Sequence, residues 1–241
     1  MSPDAIDAPL ELAPWLACIE PDPVPGFRLR MQEGTLHLLA DAPELGTLVI
    51  DFTHGASGYR GPRARSERLV RACGVRDGSR IVDATGGLGT DAWLLASAGA
   101  EVELIEQHPV VAALLADGLL RARAQHPATA GRIQLRAADS RVELGPHMAP
   151  ATTVYIDPMY PPRRKSALGD RRLRLLAALF AMSDTPGNDV AGLLAAALAA
   201  PTQRVVLKRP LREALPEGVP DPSYSLAGRS TRFDVWRRAG A

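Results

Sequence analysis

Apolar positions in this chain fall into two alternating rhythms from about residue 64 onward. Short runs at 80–84, 101–106, 133–137, 153–156 and 204–208 are rich in Val, Ile and Leu. Between them, at 64–73, 90–97, 109–123, 171–182 and 190–199, lie longer segments with apolar residues on a helical repeat. The short runs predict buried strands and the long ones predict helices. Regular strand–helix alternation argues for an α/β fold with a mostly parallel, doubly wound sheet. Two last strands, near 224–227 and 232–236, have no long helix between them, which predicts an antiparallel edge. An irregular connector follows 137, and a proline-rich loop precedes the helix at 171.

The first 60 residues follow another pattern. Residues 1–26 are rich in proline and acids, with a short helix expected over 10–18. The stretches 27–40 and 47–53 alternate as strands do, and Glu33-Gly34 supplies a hairpin turn. Residues 1–60 are therefore expected to form a small, largely β accessory module, and residues 61–241 the main domain. A glycine-rich connector over 55–62 joins them.

Composition narrows the setting. The 241 residues are 46% hydrophobic, enough for a sizeable core. No apolar run reaches membrane-spanning length, and the acidic start (Asp4, Asp7, Glu11) is unlike a signal peptide. Two cysteines, Cys18 and Cys73, give neither a disulfide framework nor metal-ligand spacing. A soluble cytoplasmic protein without membrane or metal is expected. The net charge of +1 hides an asymmetry: residues 1–50 hold eight acids and two arginines, so the excess of base lies in the rest. An anionic partner such as nucleic acid would meet that part.

The candidate chemistry starts at Arg80-Ile-Val-Asp-Ala-Thr-Gly-Gly-Leu-Gly-Thr-Asp-Ala92, a strand, a glycine turn and a helix start. In a doubly wound sheet, ligands lie beyond the carboxyl ends of the strands, where Gly86, Gly87 and Gly89 fall. Glu106 ends the next strand and suits the two hydroxyls of a ribose. Asp139 and Ser140 end the third and suit an adenine edge. Asp157 ends the fourth. Gly87-Leu-Gly-Thr-Asp-Ala92 also fits the dinucleotide fingerprint, so a nicotinamide cofactor competes. Against it, Asp91 stands where a pyrophosphate would sit, and Asp83 adds a second acid. S-adenosylmethionine (SAM) carries cationic sulfonium and ammonium groups and no phosphate, so it suits these acids better.

Asp157-Pro-Met-Tyr160 supplies a chemical step. Pro158 forces the chain out of the sheet. The Asp157 carboxylate and the Pro158 carbonyl can accept both N–H bonds of an exocyclic amine, aiming its lone pair at the methyl group, while Tyr160 stacks on the base. Arg163, Arg164 and Lys165 in the following loop, with Lys208 and Arg209 on the next strand, are candidates for RNA phosphate. The arginines at 60, 63, 65, 68 and 71 form a further basic cluster. DNA bases and a glutamine amide remain open as substrates on this reading, as does a nucleic-acid-binding protein without turnover.

Several runs sharpen the picture: Val82 to Ala92, Pro109 to Leu119, Tyr155-Ile-Asp-Pro-Met-Tyr-Pro161, Lys165-Ser-Ala-Leu168, Val205-Val-Leu-Lys-Arg-Pro210 and Arg232-Phe-Asp234. Over residues 46–236 the chain resembles the bacterial RsmJ family, guanine-N2 methyltransferases of small-subunit (16S) ribosomal RNA. The resemblance implies a seven-stranded class I methyltransferase (Rossmann-like) sheet, SAM as cofactor, and 16S ribosomal RNA, free or in the small subunit, as partner. It implies SAM contacts from Thr90 and Asp91, Glu106 and Gln107, Asp139 and Ser140, and Asp157, beside Asp83 and the three glycines. Three positions depart from the family pattern: Thr90 and Gln107 stand where arginine is expected, and Asp139 where serine is.

Overall fold

The structure is a computed structural model that describes residues 9–17, 19, 23–54, 61–145, 148–160, 171–183 and 189–238. Its N-terminal part is a three-stranded antiparallel sheet of β1 (Phe27–Gln32), β2 (Thr35–Ala40) and β3 (Thr47–Leu48). Gln32 pairs with Thr35, and the two turn residues Glu33 and Gly34 both have positive φ, 48° and 73°. A two-residue turn of that hand matches strand twist. The strand expected over 47–53 stops at Leu48. Beyond it the Ile50 carbonyl accepts from Arg121 Nη2 at 2.5 Å, and Asp51 accepts from the Thr53 N–H at 2.7 Å. A charged donor and a local side-chain turn thus replace the ladder.

The helix expected over 10–18 is a 3-10 turn, Leu10–Leu12, followed by α1 (Ala13–Leu16). That expected over 64–73 is likewise split, a 3-10 turn at Gly61–Ser66 preceding α2 (Arg68–Cys73), because Glu67 is extended. The remaining elements are β4 (Arg80–Asp83), α3 (Thr90–Ser97), β5 (Glu101–Glu106), α4 (Pro109–Gln125), α5 (Pro127–Ala130), β6 (Ile133–Ala137), α6 (Ser140–Glu143), β7 (Ala151–Ile156), α7 (Arg171–Met182), α8 (Val190–Ala199), β8 (Thr202–Pro210), β9 (Tyr224–Ala227) and β10 (Thr231–Arg237). The connector expected after 137 contains the short α6, capped by the Asp139 side chain.

The main sheet has seven strands in the order β6-β5-β4-β7-β8-β10-β9. Neighbours from β6 to β8 are parallel, and β10 is antiparallel to both β8 and β9. The strand order reverses at β4, with β5 on one side and β7 on the other, so the crevice for a ligand opens there. Strand pleat divides the core. Tyr155 joins one face with Leu95, Leu114, Val206 and Phe233. Its neighbours Val154 and Ile156 join the other with Leu193, Leu194 and Trp236. The first face also takes in Leu29, Leu36 and Leu38 of the small sheet. Phe52 stacks on Trp93 with centroids 4.9 Å apart, so the N-terminal part and the main sheet share a continuous core. Among the described residues no helix is long and apolar enough to cross a membrane.

Candidate active site

The glycine turn joins β4 to α3. Gly87 and Gly89 have φ of 51° and 69°, backbone that L side chains rarely adopt. Gly86 is needed for another reason: a Cβ there would lie 2.9 Å from the Glu106 Cβ and 3.1 Å from the Ile105 carbonyl. The turn therefore presses directly on the end of β5. Glu106 Oε2 accepts the Gly87 N–H at 2.7 Å, and Oε1 accepts the His108 N–H at 2.8 Å. Burial pushes the Glu106 carboxyl up to about 7, against the opposing pull of these backbone donors.

Beside the turn stands a chain of charges. The Tyr155 hydroxyl donates to Asp91 Oδ2 at 2.6 Å. Lys208 Nζ donates to the same oxygen at 2.8 Å and to Asp157 Oδ2 at 2.7 Å. Thr85 closes the group: its Oγ1 accepts the Asp157 N–H at 2.7 Å, and its own N–H donates to Asp83 Oδ1 at 3.1 Å. Burial raises Asp83 well above the usual carboxylate range, and repulsion from Asp91 adds to it. Burial also lifts Asp157 to about 6, although the Lys208 ammonium pulls it back. The two acids raise Lys208 against the effect of its own burial.

The structure thus brings Asp83, Gly86, Gly87, Gly89, Asp91, Glu106 and Asp157 to one rim. Thr90, the first residue of α3, is half-buried beside Asp91, and Gln107 is half-buried after Glu106. Asp139 and Ser140 follow β6 on the same rim. Both Asp139 oxygens are held by Arg141, whose hydrogen bonds lower its carboxyl. The Ser140 hydroxyl donates to the Ala84 carbonyl at 2.7 Å, tying β6 to the end of β4. Pro158 is buried. Tyr160 is half-buried, and burial pushes its phenol up to about 12 against the influence of Arg209.

Two residues expected to face RNA are turned inward. Lys208 is the bridge between Asp91 and Asp157. Arg209, one residue on and so on the opposite side of β8, is 6% exposed and paired with the fully buried Asp234, which Arg232 and Ser225 also contact. Arg163, Arg164 and Lys165 lie outside the described residues. Sequence reasoning missed Tyr155 and Thr85. Tyr155 shares a strand face with Asp157 by the two-residue repeat, and Thr85 follows Asp83 at the spacing of a side-chain turn, so both signals were present. A cavity of about 510 Å³ lies elsewhere, at the amino ends of β4 and β5, between Trp15, Leu119 and Arg132.

The geometry can be set beside known proteins. The sequence profile of the SAM-dependent methyltransferase family SAM_MT matches residues 16–238. The ribosomal RNA small subunit methyltransferase J of Alkalilimnicola ehrlichii is 46% identical over 229 residues, covering 90% of this chain and 85% of the relative. The same enzyme of Halorhodospira halophila is 43% identical, covering 97% and 92%. The crystal structure of the SAM-dependent methyltransferase NGO1261 of Neisseria gonorrhoeae superposes with a TM-score of 0.72 at 31% identity, covering 97% of this chain and 94% of that one. A glycine turn pressed on a buried glutamate, a carboxylate at the switch point, and these similarities across nearly the whole length lead to one assignment: the chain belongs to the ribosomal RNA small subunit methyltransferase J family of SAM-dependent methyltransferases.

Proposed function

We propose that this enzyme methylates the exocyclic N2 amine of a guanine in small-subunit (16S) ribosomal RNA, in the cytoplasm. The observation that carries the reading is the placement of Asp157: backbone anchored by Thr85, carboxylate held by Lys208, at the switch point of the sheet. The base assignment comes from the family resemblance.

The residues present suit SAM. A Cβ at Gly86 would crowd Glu106, so the bare turn packs directly on that carboxylate, while a Cβ at Gly87 would meet only the Thr85 carbonyl at 3.9 Å. The Glu106 oxygens keep lone pairs beyond those used by Gly87 and His108, enough for ribose hydroxyls. Asp91 and Asp157 share a single lysine, which leaves an acid excess that favours a cationic ligand over a pyrophosphate. Thr90, Gln107, Asp139 and Ser140 complete the proposed contact set. When bound, SAM supplies a methyl group activated by a sulfonium.

Asp157 and the Pro158 carbonyl then accept the two amine hydrogens and hold the nitrogen for in-line attack. The N–C bond forms as the S–C bond breaks, leaving a neutral thioether. The surplus proton on nitrogen passes to Asp157 or to water. Tyr160, kept neutral, stacks on the base. We assign residues 1–60 as an accessory module and 61–241 as the methyltransferase domain. Phe52 is the link, because a Cβ on Gly89 would meet it at 2.8 Å. The test is methyl transfer from labelled SAM to naked 16S ribosomal RNA, assembled small subunits and DNA. Label in N2-methylguanine of ribosomal RNA is expected; label in DNA alone, or on another atom, overturns the reading.

A further inference from the structure

Arginines over much of this surface have acidic partners. Arg28 meets Asp41 at 2.7 Å, Arg65 meets Asp77 at 2.5 Å, and Arg80 and Arg136 share Glu103. Arg68, Arg212 and Arg229 differ: all three are exposed, and none forms an ion pair among the described residues. They come from one helix and two loops far apart in sequence, yet the fold gathers them.

Arg68 opens α2, and its Nη1 lies 3.4 Å from where a Cβ on Gly228 would stand, so its guanidinium rests against the β9–β10 turn. That turn is closed by the Gly228 N–H on the Thr231 carbonyl at 2.7 Å, with Arg229 at its tip. Thr231 pairs with Pro210, and the Leu211 N–H donates to the Ser230 carbonyl at 2.9 Å. Arg212 therefore leaves the sheet beside Arg229. All of this lies at the carboxyl end of β8, the end from which Lys208 reaches Asp157.

We infer that Arg68, Arg212 and Arg229 form a docking surface for the phosphate backbone that flanks the target nucleotide. Cationic groups spread along the lip of an active site suit a polyanion whose one base enters that site. Guanidinium forks match phosphate oxygens in geometry as well as charge. Glu67 and Glu213 adjoin the arginines in sequence and reduce the local positive charge. The inference rests on the ribosomal RNA reading above and adds to it where the RNA lies.

The test is binding of a 16S ribosomal RNA transcript across a salt series, for the full chain and for the variant R68S/R212S/R229S. Arg123→Ser, an exposed arginine in the last turn of α4 at the other end of the sheet, is the control. Each lost phosphate contact lowers the slope of log affinity against log salt by roughly 0.7 to 0.9, so a drop of about two is expected for the triple variant. SAM binding by calorimetry and the melting curve are expected to stay as in the parent. If the parent binds RNA with a steep salt dependence and the triple variant matches it, the docking surface is refuted while the function stands. If the parent neither binds nor methylates the transcript or small subunits, the ribosomal RNA reading itself fails and the surface falls with it.

Discussion

Lys208 Nζ stands 2.7 Å from Asp157 Oδ2, joining the lysine of β8 to the carboxylate proposed to hold the target amine. The same ammonium holds Asp91 at 2.8 Å, so one cation neutralises two acids in a half-buried site. Removing it leaves Asp157 without its ammonium partner, and Asp91 with the Tyr155 hydroxyl alone, in a poorly solvated place. Lys208→Met is expected to reduce turnover at neutral pH by roughly tenfold or more. It should also move the acid limb of the pH–rate profile upward by about one unit, because Asp157 loses the charge that favours its ionised form. Lys208→Arg should restore part of the rate. A profile unchanged in Lys208→Met would show that the bridge is structural only.

Asp157 must be ionised to accept the amine hydrogens, and burial raises its carboxyl to about 6. Its protonated form gains population as pH falls through that value, so activity should fall below about pH 6 and level off above it. Asp157→Asn is expected to lower turnover by roughly a hundredfold or more and to abolish the acid limb. Steady-state rates against pH, with melting curves as a control on folding, check both expectations.

Gly86→Ala would place a methyl 2.9 Å from the Glu106 Cβ. The Ile105 carbonyl, which is backbone, would be 3.1 Å away, so the turn has little room to give. Overpacking of this kind costs about 1–3 kcal/mol. If that cost falls on the cofactor-ready geometry, SAM affinity drops by roughly ten- to a hundredfold. Calorimetric titration with SAM measures it.

Asp234 is fully buried and receives Arg209, Arg232 and Ser225. Breaking a buried pair by removing one partner costs about 3–5 kcal/mol. Asp234→Ala should therefore lower the denaturation midpoint far more than an exposed Arg→Ser change, as urea unfolding would show.

Phe52 stacks on Trp93 at 4.9 Å and sits under Gly89. Phe52→Ala is expected to cost about 3–5 kcal/mol of stability. It should weaken SAM binding as well, because the glycine turn loses its support. Urea unfolding and SAM titration of this variant report the two effects separately.

Local chemistry alone determined much of this protein. Thr90–Ser97, Glu101–Glu106, Ile133–Ala137, Arg171–Met182 and Val190–Ala199 are elements whose bounds follow from periodicity, caps and proline positions. The rim residues Gly86, Gly87, Glu106 and Asp157 were legible because a parallel sheet sends every strand's carboxyl end to one side. What stayed hidden depends on contacts distant in sequence. Alternation says that Lys208 and Arg209 point opposite ways, but not that one meets acids 51 and 117 residues away while the other meets Asp234. The strand expected over 47–53 was lost for the same reason, since Arg121, 71 residues on, takes the Ile50 carbonyl. Side-chain period and turn chemistry are written along the chain. Which charge finds which partner is settled only when the helices close over the sheet and exclude the water that would otherwise satisfy them.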